Sequence, residues 1–132
     1  MEDFITYELA VKLKEKGYKQ GYNVFGYKPV FSDETTIRFI SDIGAYENEY
    51  FGENIAAPTI SQVLKWLREE KKYHIEFVGN ACGYLFIISD VPSEGGTDRY
   101  CSDYSGPNDG GTWDKYEDCA IASIEYILDN LI

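Results

Sequence analysis

The sequence APTISQVLKWLREEKKYHIEFVGNACGYLFIISD, residues 57–90, contains the two clearest secondary-structure patterns in the chain. In its first half, apolar residues recur at helical spacing, at Ile60, Val63, Leu64 and Leu67. A stripe with this period predicts an amphipathic helix that buries one face. Thr59, with Gln62 three residues later, has the pattern of a capping box, so we expect the helix to begin there.

The second half of the same stretch has the pattern of a β-hairpin. Residues 75–78 and 84–88 are rich in β-branched and aromatic side chains, which favour strands. Between them, residues 79–83 read Gly-Asn-Ala-Cys-Gly, a composition typical of a turn. We therefore expect a helix followed by a hairpin, on which the flanking helices pack.

The remaining segments extend this pattern in both directions. Residues 3–16 predict a helix that ends at Gly17, and residues 21–31 and 35–40 predict two strands. Residues 41–55 fit a loop or a short edge strand. Residues 91–111 are rich in glycine, serine and aspartate and predict a long connector without regular structure. A last helix is expected from position 112 or 114 to the C-terminus, with Trp113 on its apolar stripe.

Together these elements predict the fold class. We expect one α+β domain over residues 1–132, with three helices on a mostly antiparallel sheet of about four to five strands. The expected order is α-β-β-α-β-β-α. The residues expected near the centre of the core are Leu64, Leu67, Ile124 and Leu128.

The formal net charge is −11, from 12 basic and 23 acidic residues. This charge argues against binding nucleic acid through its phosphates and against docking on an anionic membrane. It favours either simple solubility or an acidic face that meets a basic partner.

The cysteines and termini indicate a cellular setting. The chain has three cysteines, Cys82, Cys101 and Cys119, an odd number that cannot all pair within one chain. Residues Glu2 and Asp3 are followed by no apolar signal-peptide core, and no run is long enough to span a membrane. We expect a cytoplasmic protein with reduced thiols.

Three helical segments carry a resemblance to known sequences: residues 2–17, residues 57–69, and residues 116–128 with their Ala-Ile-Ala motif at 120–122. The combination resembles a family of short, uncharacterised proteins encoded by phages and mobile elements of gut bacteria. The resemblance covers about half of the chain and does not include the strands or the connector. It implies a shared fold and a phage or mobile-element setting, and it carries no catalytic residues.

No catalytic or metal-binding pattern stands out, so we expect neither an enzyme nor a cofactor. His74 lies beside Cys82 across the predicted hairpin, but a nucleophilic pair needs a third, orienting group. The cysteine spacing matches no zinc pattern. The connector aspartates do not have the spacing of an EF-hand loop; they are Asp98, Asp103, Asp109 and Asp114. The glycine pairs at 95–96 and 110–111 lack the lysine of a phosphate loop.

The connector is the candidate binding segment. Aromatic rings and one guanidinium group are what a planar ligand needs, and the residues in or beside it are Arg99, Tyr100, Tyr104 and Trp113. Tyr46 and Tyr50, in the acidic segment near position 50, are a second candidate surface. We expect Tyr100 and Tyr104 to lie outside the core, so that their loss leaves the fold intact.

Three functions are compatible with these observations. The first is a non-enzymatic accessory protein that binds a host protein, for example a defence or regulatory factor. The second is a protein that sequesters a small molecule or nucleotide signal. The third is a winged-helix-like DNA-binding regulator, suggested by a helix followed by a hairpin and by four cations, Lys65, Arg68, Lys71 and Lys72. No membrane partner is expected, nucleic acid is disfavoured by the charge, and a homo-oligomer is left open.

Overall fold

The computed structural model describes residues 4–18, 27–31, 36–41, 55–102, 106–108 and 111–132. Within them the chain order is α1 (Tyr7–Glu15), β1 (Tyr27–Phe31), β2 (Ile37–Ser41), β3 (Ile55–Ala56), α2 (Ile60–Glu69), β4 (Tyr73–Asn80), β5 (Gly83–Asp90), a 3-10 helix (Pro92–Glu94), β6 (Asp98–Cys101) and α3 (Tyr116–Asn130). The chain divides into two compact units, residues 1–59 and residues 60–132.

The first unit combines α1 with a small antiparallel sheet in the order β2-β1-β3. Thr6 caps α1, because its hydroxyl accepts a hydrogen bond from the Leu9 N–H at 3.3 Å. The helix buries Leu9 and Leu13 almost completely. The Tyr7 ring meets the ring of Phe31 edge-on, with centroids 5.6 Å apart, so α1 is joined to strand β1.

The second unit combines α2 and α3 with an antiparallel sheet in the order β4-β5-β6. The hairpin β4–β5 is in continuous register from Tyr73 opposite Asp90 to Asn80 opposite Gly83. Both helices contact β4, α3 contacts β5, and the two helices contact each other. The buried apolar side chains of this unit are Ile60, Val63, Leu67, Ile75, Phe86, Ile88, Cys119, Ala120, Ile124, Ile127 and Leu128.

The α+β class and the antiparallel pairing are confirmed, as are the helix and hairpin predicted for residues 57–90. Two details differ from the predicted sheet. The described strands form two three-stranded sheets, and β6 is an additional strand. Of the expected core centre, Leu67, Ile124 and Leu128 are buried, whereas Leu64 is only half-buried. A single domain over the whole chain stays a prediction.

The prediction of an unstructured connector over residues 91–111 is wrong for two segments of its described part. Residues Pro92–Glu94 form the 3-10 helix, and Asp98–Cys101 form β6, which pairs with β5. The predicted helix start is also wrong, because α3 begins at Tyr116. Trp113 instead exchanges two backbone hydrogen bonds with Tyr84, of 2.8 and 2.9 Å, which hold it in an extended bridge.

Several predictions fall on residues that the structure does not describe. They include more than half of the first predicted strand, at 21–26, and most of the predicted loop, at 42–54. None of the described helices is long and apolar enough to cross a membrane.

Candidate functional site at the hairpin tip

The tip of the β4–β5 hairpin is exposed and tightly held. Ala81 and Cys82 form the two-residue connection between the strands. The Asn80 side-chain carbonyl accepts a hydrogen bond from the Cys82 N–H at 2.8 Å, an Asx-type contact that fixes the turn. Asn80, Ala81 and Cys82 are nevertheless exposed, so their outer groups are available to a partner.

A second segment, around residues 106–114, supports the tip from beside it. The Cys82 carbonyl oxygen accepts hydrogen bonds from the Thr112 hydroxyl at 2.7 Å and from the Asn108 side-chain amide at 2.9 Å. Thr112 is 1% exposed, so its bond is shielded from water. Both lone pairs of one turn carbonyl are therefore used by side chains from another part of the chain.

The same segment places a carboxylate at the tip. The Asn108 amide nitrogen also donates to Asp114 Oδ1 at 2.6 Å. Asp114 is exposed, so its carboxylate remains accessible while this bond orients it.

Gly83 allows this close approach. A Cβ atom at Gly83 would lie 2.3 Å from the carbonyl oxygen of Trp113, and its φ is +136°. Both the contact and the backbone conformation therefore require glycine. The Tyr84–Trp113 bridge follows at once in the sequence, so the supporting segment is bonded to β5 as well as to the turn.

These residues surround an open cavity of about 530 Å³. We call the residues that line it the tip surface: Gly79, Asn80, Ala81, Cys82, Gly83, Tyr84 and Asp114. The surface offers a thiol, a carboxylate, an amide group and one aromatic ring. Such a set can bind a partner through hydrogen bonds and apolar contact.

The structure places Arg99 in an ion pair. Its guanidinium donates two hydrogen bonds to the Asp90 carboxylate, at 2.9 and 2.7 Å. The bonds from Arg99 hold the pKa of Asp90 below its ordinary value of 3.8, and the same bonds raise the pKa of Arg99. The guanidinium expected to cover a planar ligand is thus engaged by a neighbouring strand.

Tyr100 and Trp113 are brought together in one aromatic cluster around Phe86. Their ring centroids lie 5.8 and 5.7 Å from the Phe86 ring, which is 2% exposed. Tyr100 also stacks on Tyr126 of α3, with centroids 3.8 Å apart and planes at 15°. Tyr100 is half-buried, with its ring against Phe86 and Tyr126, and the expectation that its loss leaves the fold intact stays a prediction.

The other candidate binding residues, Tyr46, Tyr50 and Tyr104, lie outside the described residues. A binding role for the six sequence-predicted residues stays a prediction.

His74 and Cys82 are not neighbours. His74 pairs with Ser89 near the far end of the hairpin, whereas Cys82 is in the turn. At about 3.3 Å per residue, the two lie roughly 20 Å apart.

Among the described residues, no group of three His, Cys, Asp or Glu side chains could hold a metal ion. Burial raises the pKa of the Cys119 thiol to about 12, so this thiol stays protonated at neutral pH.

Sequence reasoning did not single out Asn108, Thr112 or the Cys82 carbonyl as parts of a site. The residues 108–112 read Asn-Asp-Gly-Gly-Thr, which signals a turn but does not indicate what the turn contacts. For Asp114 the sequence suggests the start of the last helix, and the spacing of the connector aspartates does not fit a calcium loop. The assembly depends on hydrogen bonds to a main-chain carbonyl, and these leave no recognisable sequence pattern.

Comparisons of the chain with models of known protein families, with curated proteins and with solved structures gave no match. The function is therefore inferred from the geometry of the site, together with the sequence resemblance.

Proposed function

We propose that this chain is a non-enzymatic accessory protein of a phage or mobile element, and that it acts by binding a host protein through the tip surface. The partner would be a defence or regulatory factor of the host. The setting comes from the resemblance of the helical segments. The location comes from the construction of the hairpin tip.

The observation that carries this proposal is the support of an exposed turn by a second segment of the chain. The favoured two-residue hairpin turns have a positive φ at one or both connecting residues, and neither Ala81 nor Cys82 has one, so this turn relies on added support. Here Asn108 and Thr112 fix the Cys82 carbonyl, and Trp113 bonds to the backbone of Tyr84. A surface held rigid before binding loses less conformational entropy when a partner docks. Rigidity at an exposed tip therefore favours a role in recognition.

Charge indicates the chemistry of the partner. Asp114 presents a carboxylate at the tip surface, and the whole chain carries a net charge of −11. Complementary potentials speed association and exclude partners of like charge. A basic patch on the host protein, with a lysine or arginine that reaches Asp114, would satisfy both features.

The cavity supports one alternative function, sequestration of a small molecule or nucleotide signal. A volume of about 530 Å³ lies within the usual range for ligand sites. The cavity is open to solvent, which fits a protein contact better than an enclosed ligand. The DNA-binding alternative depends on a helix preceding α2, and residues 42–54 lie outside the described part of the chain.

A capture experiment with two matched variants tests the proposal. Ala81→Trp places a large ring on the tip surface at an exposed position whose φ is not positive. Ser93→Trp adds the same ring at an exposed position of the 3-10 helix, away from the tip. Tagged parent and both variants are incubated with lysate of a gut bacterium, and captured proteins are quantified by mass spectrometry.

We expect one host protein to be captured by the parent and by Ser93→Trp, and at least tenfold less by Ala81→Trp. Circular dichroism of both variants checks that the fold is unchanged. Equal capture by the two variants would place the binding surface elsewhere. A thermal-shift screen of nucleotides tests the alternative, because a ligand of the cavity would raise the melting temperature of the parent and not that of Ala81→Trp.

A further inference from the structure

The outer edge of β4 is a second surface that has the properties of an association site. β4 is the terminal strand of its sheet, and none of the described strands pairs with its outer side. It is eight residues long, contains neither proline nor lysine, and pairs with β5 without a bulge. Proteins usually protect such edges with short strands, bulges or charges, because an open edge pairs with other chains.

The opposite edge of the same sheet shows those protections. β6 is only four residues long and includes Arg99, and its pairing with β5 is interrupted by a register shift at Ile88 and Ser89. The β6 edge is therefore protected by length, charge and irregularity, whereas the β4 edge has only the charge of Glu76 and no neighbouring strand among the described residues. This asymmetry within a single sheet indicates that the β4 edge has a pairing partner.

The hydrogen-bonding direction of β4 follows from that of β5. The main-chain groups of Tyr84, Phe86 and Asp90 bond toward the β6 side of the sheet, to Trp113, Ser102 and Thr97. Successive residues of a strand bond to opposite sides, so Gly83, Leu85, Ile87 and Ser89 bond toward β4. Their partners are Asn80, Val78, Glu76 and His74. The residues of β4 whose N–H and C=O groups point outward are therefore Tyr73, Ile75, Phe77 and Gly79.

We propose that a second copy of this chain pairs with this edge, β4 antiparallel to β4, about a twofold axis at Ile75. An isologous twofold contact is the commonest way in which identical chains associate. With the axis at Ile75, outward-pointing residues meet outward-pointing residues, as an antiparallel ladder requires. The main-chain N–H and C=O groups of Ile75 would hydrogen-bond to those of Ile75 in the copy, and those of Tyr73 would hydrogen-bond to those of Phe77 in the copy.

The side chains select this axis over its neighbours. With the axis at Ile75, His74 lies opposite Glu76 of the copy, twice, in the close non-hydrogen-bonded positions. An imidazole can donate to a carboxylate in either protonation state. Moving the axis to Glu76 would place two carboxylates face to face, which is destabilising. Moving it to Phe77 would lose the His74–Glu76 pairs.

The same register matches aromatic residues on the other face. Tyr73 meets Phe77 of the copy twice. Both side chains are half-buried, since the Phe77 ring packs on Tyr116 and the Tyr73 hydroxyl donates to the Leu131 carbonyl, and a partner strand would cover their remaining exposed area. Aromatic cross-strand pairs are among the most favourable contacts in antiparallel sheets. The result is a continuous six-stranded sheet.

The dimer would leave both tip surfaces accessible. Asn80 is five residues beyond the axis, so the two tips would lie roughly 33 Å apart at opposite ends of the β4 pair. A bivalent arrangement of this kind strengthens binding to a partner with two copies of its own site. The dimer does not depend on the proposed function, and either can fail alone.

Variants that change the charges facing each other across the twofold axis test the proposed β4–β4 register. His74→Glu places a carboxylate opposite Glu76 of the copy, and Glu76→Lys places an ammonium group opposite His74. The double variant His74→Glu/Glu76→Lys restores an opposite-charge pair. Glu94→Lys, at an exposed position of the 3-10 helix, is the control for net charge. Dimer dissociation constants are measured by sedimentation equilibrium.

We expect the parent and Glu94→Lys to dimerise with similar constants. His74→Glu should raise the dissociation constant about tenfold, and the double variant should restore it. Amide exchange of Tyr73, Ile75 and Phe77 should slow as concentration rises. A parent that stays monomeric overturns the proposal, as does a dimer whose β4 amides exchange unchanged. Amides already protected in the dilute monomer would also overturn it, because another part of the chain would then cover the edge.

Discussion

At the residue scale, the conformation of the hairpin tip depends on two features. Position 83 has no side chain, and the carbonyl of Cys82 accepts two hydrogen bonds. Gly83 lets the Trp113 carbonyl approach β5, and the Cys82 carbonyl accepts bonds from Asn108 and Thr112. A side chain at position 83 would push the supporting segment away from the turn. The rigidity attributed to the tip surface would then be lost.

Replacing Gly83 by alanine should destabilise the protein by about 2–4 kcal/mol, because the new Cβ meets a main-chain oxygen and adopts a strained φ. Gly79→Ala is the matched control in the same hairpin. Its Cβ would lie 3.3 Å from the tip of the Tyr84 ring, which can shift, and its φ is not positive. Urea denaturation of both variants measures the difference. Coincident midpoints for the two variants would show that the close approach is unimportant.

The Asp90–Arg99 ion pair predicts a pH dependence with a definite sign. Since the hydrogen bonds from Arg99 lower the folded-state pKa of Asp90 below 3.8, folding favours the ionised carboxylate. The stabilisation is therefore complete at neutral pH and is lost as the pH falls below this value toward the lowered pKa.

Asp90→Asn should thus be less stable than the parent at neutral pH, and the gap should shrink at about pH 3. Asp98→Asn, an exposed aspartate of the neighbouring strand, is the control. Thermal unfolding at the two pH values measures both gaps. A gap for Asp90→Asn that is independent of pH would contradict the account.

At the scale of elements, local pattern and non-local pairing explain which parts of the fold could be predicted. Helix α2 and the hairpin β4–β5 are predictable because their periodicity and turn residues lie within a few positions of each other. Strand β6 is not, because its four residues stand in a glycine-rich, polar stretch. Its extended conformation comes from pairing with β5 and from the stacking of Tyr100 on Tyr126.

The role of Tyr100 predicts a difference between adjacent residues of β6. Tyr100→Ser should cost about 2–4 kcal/mol in unfolding free energy, because it removes a ring stacked on Tyr126 and in contact with Phe86. Arg99→Ala should cost clearly less, since the Arg99 side chain is half exposed and its ion pair with Asp90 is screened by solvent. Equal costs from urea denaturation would argue against a structural role for the Tyr100 ring.

Helix α2 offers a similar comparison between two leucines. Leu67 is fully buried, and Leu67→Ala should cost about 2–5 kcal/mol through lost contacts and a residual cavity. Leu64 is half-buried on the same helix, so Leu64→Ala should cost clearly less. Denaturant midpoints of the two variants test this order. A larger loss at Leu64 would mean that α2 is rotated relative to the described packing.

At the scale of the whole molecule, the tip surface could not be predicted because its parts are distant in sequence. Thr112 is 30 positions from Cys82, and Asn108 is 26 positions away. Their partner is a main-chain carbonyl, and any residue supplies one. The sequence predicts a binding role for Trp113, which stays a prediction; the structure shows that Trp113 contacts the hairpin. The sequence also indicated the acidic charge, which the proposed basic partner complements.

Two surfaces of the second unit are thus proposed as association sites: the tip surface for a host protein and the β4 edge for a second copy of the chain. Their separation on the hairpin means that each can be altered alone. Cys82 belongs to the tip surface, whereas the other exposed thiol, Cys101, is on β6. The Cys82 thiol can therefore serve as a chemical probe of the proposed binding surface, and the Cys101 thiol can serve as the internal reference.

Alkylation of these two thiols tests the central claim most directly. The native protein is treated with iodoacetamide alone and after saturation with the captured host protein, and labelling is followed by mass spectrometry. We expect the partner to slow labelling of Cys82 at least tenfold and to leave the rate at Cys101 unchanged. Cys119 should remain unlabelled in both samples, because it is buried and its thiol stays protonated. Unchanged labelling of Cys82 in the saturated complex would contradict the assignment of the tip surface.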